Sequence, residues 1–291
     1  MPTIIAEKHV TQHILRAFNI KAKKGLGQNF LINPEIVDGI IRAAEITEQD
    51  LVLEVGPGIG TLTQALALAG ARVTAVELDQ GLLPILNKTL EGAGDVRVVH
   101  GDILEVDINE LMQGQTFKLV ANLPYYITTP IIMKLLESKL PVERLVTMVQ
   151  KEVAERMAAK PGGREYGALS IAVQYYAEVS IPLMVPSNSF IPEPKVDSAV
   201  VLCKLRARPP VDVVSERLFF QVVKAAFSQR RKMLSNCLKN MGVSGEFVQN
   251  WMSVAGIDGK RRPETLSLQE FATLANVFEQ IKNNQGSNLQ S

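Results

Sequence analysis

Two short segments carry the residues best suited to chemistry. Glu54-Val-Gly-Pro-Gly-Ile-Gly60 is a glycine turn that follows an apolar, strand-like run. Its three glycines, at positions 56, 58 and 60, do not have the spacing of the dinucleotide-binding fingerprint. A carboxylate at Glu54 repels phosphate and attracts an ammonium group. We therefore interpret this turn as a site for S-adenosylmethionine, which carries an ammonium and a sulfonium but no phosphate.

Two more carboxylates follow later strands. Glu77 ends the second strand, 21 residues after Gly56, which is about the offset at which an acidic side chain binds ribose hydroxyls. Asp102 follows the third strand and is a candidate acceptor for the amino group of the cofactor's adenine. Any one of these carboxylates alone is more often a strand-end or helix-cap residue. Three of them at one sheet edge predict a cofactor site.

The second segment, Asn122-Leu-Pro-Tyr125, follows the fourth strand and suits an exocyclic amine on a flat base. The lone pair of such an amine is delocalised into the ring. Hydrogen bonds accepted by the Asn122 side chain and by the Leu123 or Pro124 carbonyl favour a pyramidal, nucleophilic nitrogen. Tyr125 can stack on the base, which must be flipped out or already unpaired. Alone this is an ordinary strand-to-turn junction; with the glycine turn upstream, it predicts methyl transfer to a nucleic-acid base.

The elements that position these segments follow from the alternation of apolar runs and helix-like stretches. Strands are predicted at residues 51–55, 72–78, 96–100, 118–121, 144–149, 179–184 and 197–205. The first four are short and almost wholly apolar, as in strands covered on both faces. The alternation predicts an α/β fold with a parallel, doubly wound sheet. The connection before the last strand has no room for a helix, so we expect that strand to run antiparallel.

The chain is expected to form two domains, residues 1–205 and 206–291. Paired prolines near residue 209 predict a linker, because proline continues neither a helix nor a central strand. After Ser215 the apolar spacing becomes helical, which predicts a small domain of four or five helices. In the first domain, Asn33-Pro34-Glu35 has the cap, proline and carboxylate of a helix start.

Composition limits the classes of function. The net charge is +1, yet residues 206–262 contain 11 basic and 4 acidic residues, a local excess of +7 that suits a polyanion. Cys203 and Cys237 lie in apolar contexts and are expected to be buried, reduced thiols. The histidines show no metal-ligand pattern, so no metal is expected. Without a signal-peptide pattern or a membrane-spanning run, we expect a cytoplasmic protein, monomeric and without a membrane partner.

The segments together resemble the ribosomal RNA adenine N6,N6-dimethyltransferase family, most closely its bacterial small-subunit (16S) branch. The resemblance runs from about residue 23 to residue 271. It is carried by Lys24-Gly-Leu-Gly-Gln-Asn-Phe-Leu31, Glu54–Gly60, Gly101-Asp102, Asn122–Tyr125, Gln150-Lys-Glu-Val-Ala-Glu-Arg156, Phe190-Ile-Pro-Glu-Pro-Lys-Val-Asp-Ser198 and Arg262-Pro-Glu-Thr-Leu266.

The resemblance implies a Rossmann-like class I methyltransferase fold with a seven-stranded mixed sheet and a helical C-terminal domain. It implies S-adenosylmethionine as donor and S-adenosylhomocysteine as product. The reaction would dimethylate the exocyclic amines of two adjacent adenosines in a hairpin loop near the 3′ end of the RNA, during late subunit assembly.

The resemblance also implies roles for individual residues. The implied cofactor pocket comprises Gln28, Asn29, Leu31, Glu54, Gly56, Gly58, Gly60, Glu77, Asp102 and Asn122. Asn122 and Tyr125 would hold the target amine, and Phe190 would stack on the base opposite Tyr125. Such stacking is typically worth ~1–3 kcal/mol.

Basic residues in three places are candidates for RNA contacts. They are Lys23 and Lys24 beside the cofactor loop, Arg230, Arg231 and Lys232 in the second domain, and Arg261 and Arg262 further along. The alternative is that some of them pair with acidic neighbours such as Glu264.

Two rival functions remain open at this point. One is the antibiotic-resistance relative that methylates a large-subunit rRNA adenine, although such proteins tend to be shorter and more basic. The other is a non-catalytic RNA-binding assembly factor on the same fold, against which the intact cofactor and amine-binding residues argue.

Overall fold

The structure is a computed structural model that describes residues 3–229 and 231–287, with the backbone alone for residues 24 and 285–287. The chain forms two compact units. The first runs through Ala154 and resumes over Ala177–Leu205. The second comprises Glu155–Tyr176 and the described residues from Arg206 onward. None of the described helices is long and apolar enough to cross a membrane.

The first unit is built on a seven-stranded mixed sheet. The described strands are, in chain order, β1 (Phe30–Leu31), β2 (Leu51–Val55), β3 (Arg72–Glu77), β4 (Val96–His100), β5 (Phe117–Asn122), β6 (Val142–Gln150), β7 (Ala177–Val185), β8 (Phe190–Ile191) and β9 (Ser198–Leu205). The sheet order is β4-β3-β2-β5-β6-β9-β7, and β1 pairs with β8 in a separate ribbon. Strands β2 to β6 are parallel, and β9 is antiparallel to both β6 and β7. The predicted fold class and the reversed last strand are confirmed.

The central strands are buried because apolar side chains cover both faces of the sheet. Val52 and Leu53 of β2 and Leu119 and Val120 of β5 are fully buried. Parallel strands end at a common edge, so the last residues of β2, β3 and β5 lie together there. Glu77 and Asn122 are the final residues of β3 and β5.

Helices connect the strands, and their starts follow local capping chemistry. The described helices are α1 (Lys8–Ala17), α2 (Pro34–Ala44), α3 (Thr61–Leu68), α4 (Leu83–Thr89), α5 (Ile108–Leu111), α6 (Thr128–Glu137), α7 (Lys151–Ala158), α8 (Ala168–Tyr176), α9 (Glu216–Ala226), α10 (Leu234–Leu238), α11 (Gly245–Ala255) and α12 (Leu268–Ser287). The predicted start of α2 is confirmed, since the Asn33 side chain accepts from the Glu35 and Ile36 amides.

The second unit has its own core, which is rich in aromatic residues. Phe219, Trp251 and Phe271 are fully buried in it, and Trp251 Nε1 donates to the Leu274 carbonyl at 2.8 Å. Tyr175 of α8 stacks on Phe219 at 5.0 Å between ring centroids.

Residues 155–176 therefore belong to the second unit, although the sequence analysis placed them in the first domain. Their apolar side chains, Tyr166, Ile171 and Tyr175, lie in the aromatic core of the second unit. The pattern along the chain gave no sign of this, because the segment sits between two strands of the sheet. The two predicted thiols, Cys203 and Cys237, are both free and buried.

Candidate active site

A cleft opens in the first unit at the edge where the parallel strands end. It encloses about 1060 Å³ of space, counted out to its open mouth. Its wall includes twelve of the predicted site residues: Gln28, Asn29, Leu31, Glu54, Gly56, Gly58, Glu77, Asp102, Asn122, Leu123, Pro124 and Tyr125. Residues distant in sequence are brought together here because β2, β3 and β5 end at one edge.

Glu77 fixes the glycine turn as well as lining the cleft. Its Oε2 accepts from the Gly58 amide at 3.1 Å, and its Oε1 accepts from the Asp79 amide at 2.7 Å. Burial raises the pKa of Glu77 above its ordinary value despite these bonds. Gly56 and Gly58 have φ of 71° and 63°, which glycine adopts without strain. A Cβ at Gly56 would have no described atom within 4 Å apart from those of its two chain neighbours, so the backbone there is open to a ligand.

Glu54 is a buried carboxyl group that lacks a complete set of partners. It is 1% exposed, and its Oε2 has no hydrogen-bond partner among residues 3–229 and 231–287. Burial raises the pKa of Glu54 to about 8: the nearby Thr63 hydroxyl lowers this pKa and the negative charge of Glu77 raises it further, and burial is the largest cause. An unpaired buried acceptor costs free energy that a cationic ligand group can recover. The residue therefore fits the ammonium group expected from the sequence.

Asp79 is a site-organising residue that the sequence analysis missed. Its carboxylate accepts from Lys23 Nζ at 2.7 Å and from Gln28 Nε2 at 2.9 Å. Burial raises the pKa of Asp79, but the bonds from Lys23 and Gln28 outweigh this and hold the pKa below its ordinary value. Gln28 Oε1 also accepts from the Lys23 amide at 2.9 Å. The amide of Gln28 thus closes the loop of residues 23–28 and anchors it at the end of β3.

The same geometry pairs the Lys23 ammonium group with the buried Asp79 carboxylate. The Lys23 side chain is still 57% exposed, so its contact with RNA phosphate stays a prediction. In sequence, Asp79 reads only as the cap of a short 3-10 helix at residues 80–82, which it also is.

The side-chain nitrogen of Asn122 makes a hydrogen bond, and its side-chain oxygen is available as an acceptor. Its Nδ2 donates to the Asn29 carbonyl at 3.3 Å, which sets the orientation of the amide. No donor to its Oδ1 is found within the described part of the chain. The Pro124 carbonyl already accepts from the Ile127 amide at 3.1 Å and from Thr128 Oγ1 at 3.0 Å. Of the two carbonyls expected to assist Asn122, Leu123 is therefore the better placed.

Tyr125 is held by its hydroxyl group. Its OH lies 2.6 Å from Ser198 Oγ, and burial raises the pKa of Tyr125, so the phenol stays neutral. Ser198 is the first residue of β9 and the last residue of the proline-rich motif noted in the sequence. This contact gives that motif a structural link to the target-base segment.

Phe190 and Gly60 do not lie on the wall of the cleft. Phe190 is 3% exposed and packs in the core with Leu31 and Val185, because β8 pairs Phe190 with Leu31. The Phe190 ring thus has little exposed surface in the free protein, and its stacking on the base stays a prediction. Gly60 has φ of 92°, and a Cβ there would lie 2.9 Å from Leu90 Cδ2, so it serves the turn and its packing.

The turn that carries Asp102 is held from two sides. Asp102 Oδ1 accepts from the Leu104 amide at 2.9 Å. Lys134 of α6 donates to the carbonyls of Ile103, Leu104 and Val106 at 2.9, 2.7 and 3.3 Å. Leu78, 43% exposed, adds an apolar side chain to the same wall. Lys134 and Leu78 were not predicted as site residues, since neither stands in a recognisable sequence motif.

The basic residues of the second unit fall into two groups. Arg231 and Lys232 are exposed, whereas Arg261 forms a two-pronged ion pair with Glu270 and donates to the Thr265 carbonyl at 2.8 Å. Arg262 lies 3.8 Å from Glu264. The ion pair of Arg261 favours the alternative in which such residues pair with acidic neighbours, and its contact with RNA stays a prediction. Arg230 and the side chain of Lys24 lie outside the described residues.

Comparison with known proteins identifies the group to which the chain is related. A family model described as ribosomal RNA adenine dimethylase matches residues 19–280. The chain belongs to this family. The resemblance expected from the sequence is thereby confirmed.

Individual relatives agree with the family. A Bacillus cereus protein named ribosomal RNA small subunit methyltransferase A is 49% identical over 284 residues, covering 94% of this chain and 97% of its own length. A dimethyladenosine transferase from Plasmodium falciparum superposes with a TM-score of 0.71 at 28% identity, covering 86% of this chain and 98% of that one. The 23S rRNA methyltransferase ErmE superposes with a TM-score of 0.68 at 27% identity, covering 86% of this chain and all of its own.

Proposed function

We propose that the protein uses S-adenosylmethionine to dimethylate the N6 amines of two adjacent adenosines in the 3′-terminal hairpin loop of small-subunit (16S) rRNA, during late subunit biogenesis. The observation that carries the proposal is that two incompletely hydrogen-bonded side chains line one cleft. Glu54 is a buried carboxyl group with an unpartnered oxygen, and Asn122 is an amide whose oxygen is available as an acceptor.

The donor side of the cleft suits each part of S-adenosylmethionine, which supplies a methyl group activated by the sulfonium. Glu54 would hold the ammonium group. Glu77 uses one lone pair on each oxygen for backbone amides and keeps others for ribose hydroxyls. Asp102 commits one oxygen to its own turn, which leaves the second for the adenine amino group, while Leu78 offers apolar contact to the ring.

The target side would orient the nucleophile. Asn122 Oδ1 and the Leu123 carbonyl would accept the two N–H bonds of the amine, which favours a pyramidal nitrogen whose lone pair is localised on nitrogen and not delocalised into the ring. Tyr125, held by Ser198, would stack on the base. After one transfer, a single N–H remains for one of the two acceptors, so the same residues serve a second transfer.

The identity of the relatives supports the small subunit as substrate. The relative named for the small subunit is 49% identical to this chain, whereas the 23S rRNA methyltransferase is 27% identical. The exposed pair Arg231 and Lys232 supports RNA binding by the second unit. The other predicted RNA contacts, Lys23, Lys24, Arg230, Arg261 and Arg262, remain predictions.

The experiment is transfer of labelled methyl groups to isolated small and large subunits that lack the modification, followed by nucleoside analysis. The proposal expects label in N6,N6-dimethyladenosine of small-subunit rRNA. Label on cytidine or guanosine, or on the large subunit alone, contradicts it. Absence of transfer, combined with binding of the small subunit, would favour the non-catalytic assembly factor.

A further inference from the structure

Tyr126 is an exposed aromatic residue on the wall of the cleft, and the reaction described above gives it no role. It is 56% exposed. Among the described residues, Leu78 and Tyr126 are the exposed large hydrophobic side chains that line the cleft, and only Tyr126 has a flat ring. A large exposed apolar group in a binding cleft is more informative than one on an ordinary surface.

The ring of Tyr126 has a defined position although most of it faces solvent. A methyl group placed on Gly27 would lie 3.5 Å from Tyr126 Cδ1, so one edge of the ring lies close to the Gly27 backbone. Gly27 belongs to the loop that Gln28 anchors to Asp79.

The backbone on both sides of Tyr126 is also fixed. Tyr125 is held by Ser198, and the Ile127 amide donates to the Pro124 carbonyl at 3.1 Å. Little backbone conformational entropy therefore remains to be lost at this position when the ring receives a partner.

We infer that Tyr126 is a base-stacking residue for the unpaired nucleotide that neighbours the target adenine. The inference rests on the proposed function, in which the substrate is a single-stranded loop with two adjacent adenosines. Moving one adenine against Tyr125 breaks its stack with the next base and exposes that base's face. Single-stranded RNA is commonly held by such faces stacking on aromatic side chains. Tyr126 follows Tyr125 directly in the chain, so its ring can contact the base next to the one that stacks on Tyr125.

This role is one of positioning and specificity. Tyr126 would not touch the reacting amine, which Asn122 and Leu123 hold. It would fix the register of the loop, so that the adenine beside the stacked base is the one presented to the donor.

The test compares Tyr126→Ala and Tyr126→Phe, with Phe18→Ala as the matched control. Phe18 is an exposed aromatic residue of the same unit, 42% exposed and outside the cleft. For each protein we would measure the dissociation constant for unmethylated small subunits, the KM for those subunits in methyl transfer, and the cofactor affinity by calorimetry. Stacking typically contributes ~1–3 kcal/mol per base, so Tyr126→Ala should weaken subunit binding by roughly 5- to 150-fold.

Tyr126→Phe and Phe18→Ala should bind subunits like the wild type, and all variants should bind the cofactor equally well. Unchanged subunit binding by Tyr126→Ala overturns the inference. Equal losses in Tyr126→Phe and Tyr126→Ala also overturn it, because the hydroxyl and not the ring would then be responsible. The methyl-transfer assay with the wild-type protein tests the proposed function separately. If the wild type binds subunits through Tyr126 but does not methylate them, the proposed function is contradicted and the stacking role of Tyr126 is not.

Discussion

Two polar residues in the cleft of the first unit differ from two in the second unit in how completely their side chains are hydrogen-bonded. In the cleft, Glu54 is buried with an unpartnered oxygen and Asn122 has an available acceptor. In the second unit, Arg261 is paired with Glu270, and Glu216 accepts from Tyr176 at 2.6 Å. Unpaired buried groups lower stability, so the first unit keeps them at a cost that a ligand can offset. Paired groups stabilise the fold and are not in themselves evidence of a binding site.

The largest effect is expected at Glu54. Because the pKa of Glu54 in the folded protein is about 8, above its ordinary value, its contribution to stability is fully present below about pH 4.5 and is lost as the pH rises through 8. Glu54→Gln removes this loss. The free protein should gain on the order of 4 kcal/mol over the wild type near pH 8.5 and almost nothing near pH 4.

Thermal or denaturant unfolding over this pH range measures the difference, with Glu137→Gln, an exposed carboxylate on α6, as control. The same variant should bind S-adenosylmethionine more weakly. A stability difference that does not change with pH would show that Glu54 is already paired in the free protein, and the comparison would fail.

The next effect is expected in the chemical step. Asn122→Ala removes one of the two acceptors for the amine, and loss of a single preorganised group of this kind commonly lowers kcat by about 10²–10³-fold. Single-turnover methyl transfer on small subunits measures it. Asn87→Ala, an exposed residue of α4, should behave as the wild type. Full activity of Asn122→Ala would remove this residue from the reaction.

A smaller effect is expected from the exposed cations of the second unit. The double change Arg231→Glu and Lys232→Glu should weaken subunit binding and reduce the slope of log K against log salt by about 2, because each phosphate contact contributes about 1. Cofactor affinity should not change. Arg97→Glu, exposed on β4, is the control. An unaltered salt slope would place the RNA elsewhere.

The smallest effect is expected at Arg261, where the structure assigns an ion pair. Arg261→Ala should lower the free energy of unfolding by about 1 kcal/mol, since the pair with Glu270 is partly exposed. The salt dependence of subunit binding should stay as in the wild type. A reduced salt slope without loss of stability would return Arg261 to the RNA contacts and weaken the contrast between the two regions.

Much of the fold follows from local sequence signals. The seven strands of the sheet and the Asn33 cap of α2 were predictable, because buried parallel strands are short apolar runs and caps are local chemistry. The β1–β8 ribbon was not predictable, since it consists of two residues on each side, paired over separations of 161 and 159 positions. The assignment of residues 155–176 to the second unit depends equally on tertiary packing.

The site shows the same division. Glu54, Glu77, Asp102 and Asn122 follow from their places at strand ends. Side chains whose role depends on a partner distant in sequence cannot be predicted in this way. The role of Asp79 is shown only by its hydrogen bonds from Lys23 and Gln28, and that of Lys134 only by its hydrogen bonds to three carbonyl groups. For the same reason the exposed surface of Tyr126 and the burial of Phe190 had no signature in the sequence.

The most direct test of the account is a crystal structure of the protein with S-adenosylmethionine bound. We expect the ammonium group within hydrogen-bond distance of Glu54, the ribose hydroxyls at Glu77, and the methyl group facing the Asn122 side-chain oxygen. A donor bound outside this cleft, or one whose methyl group is screened from Asn122 and Tyr125, would contradict it.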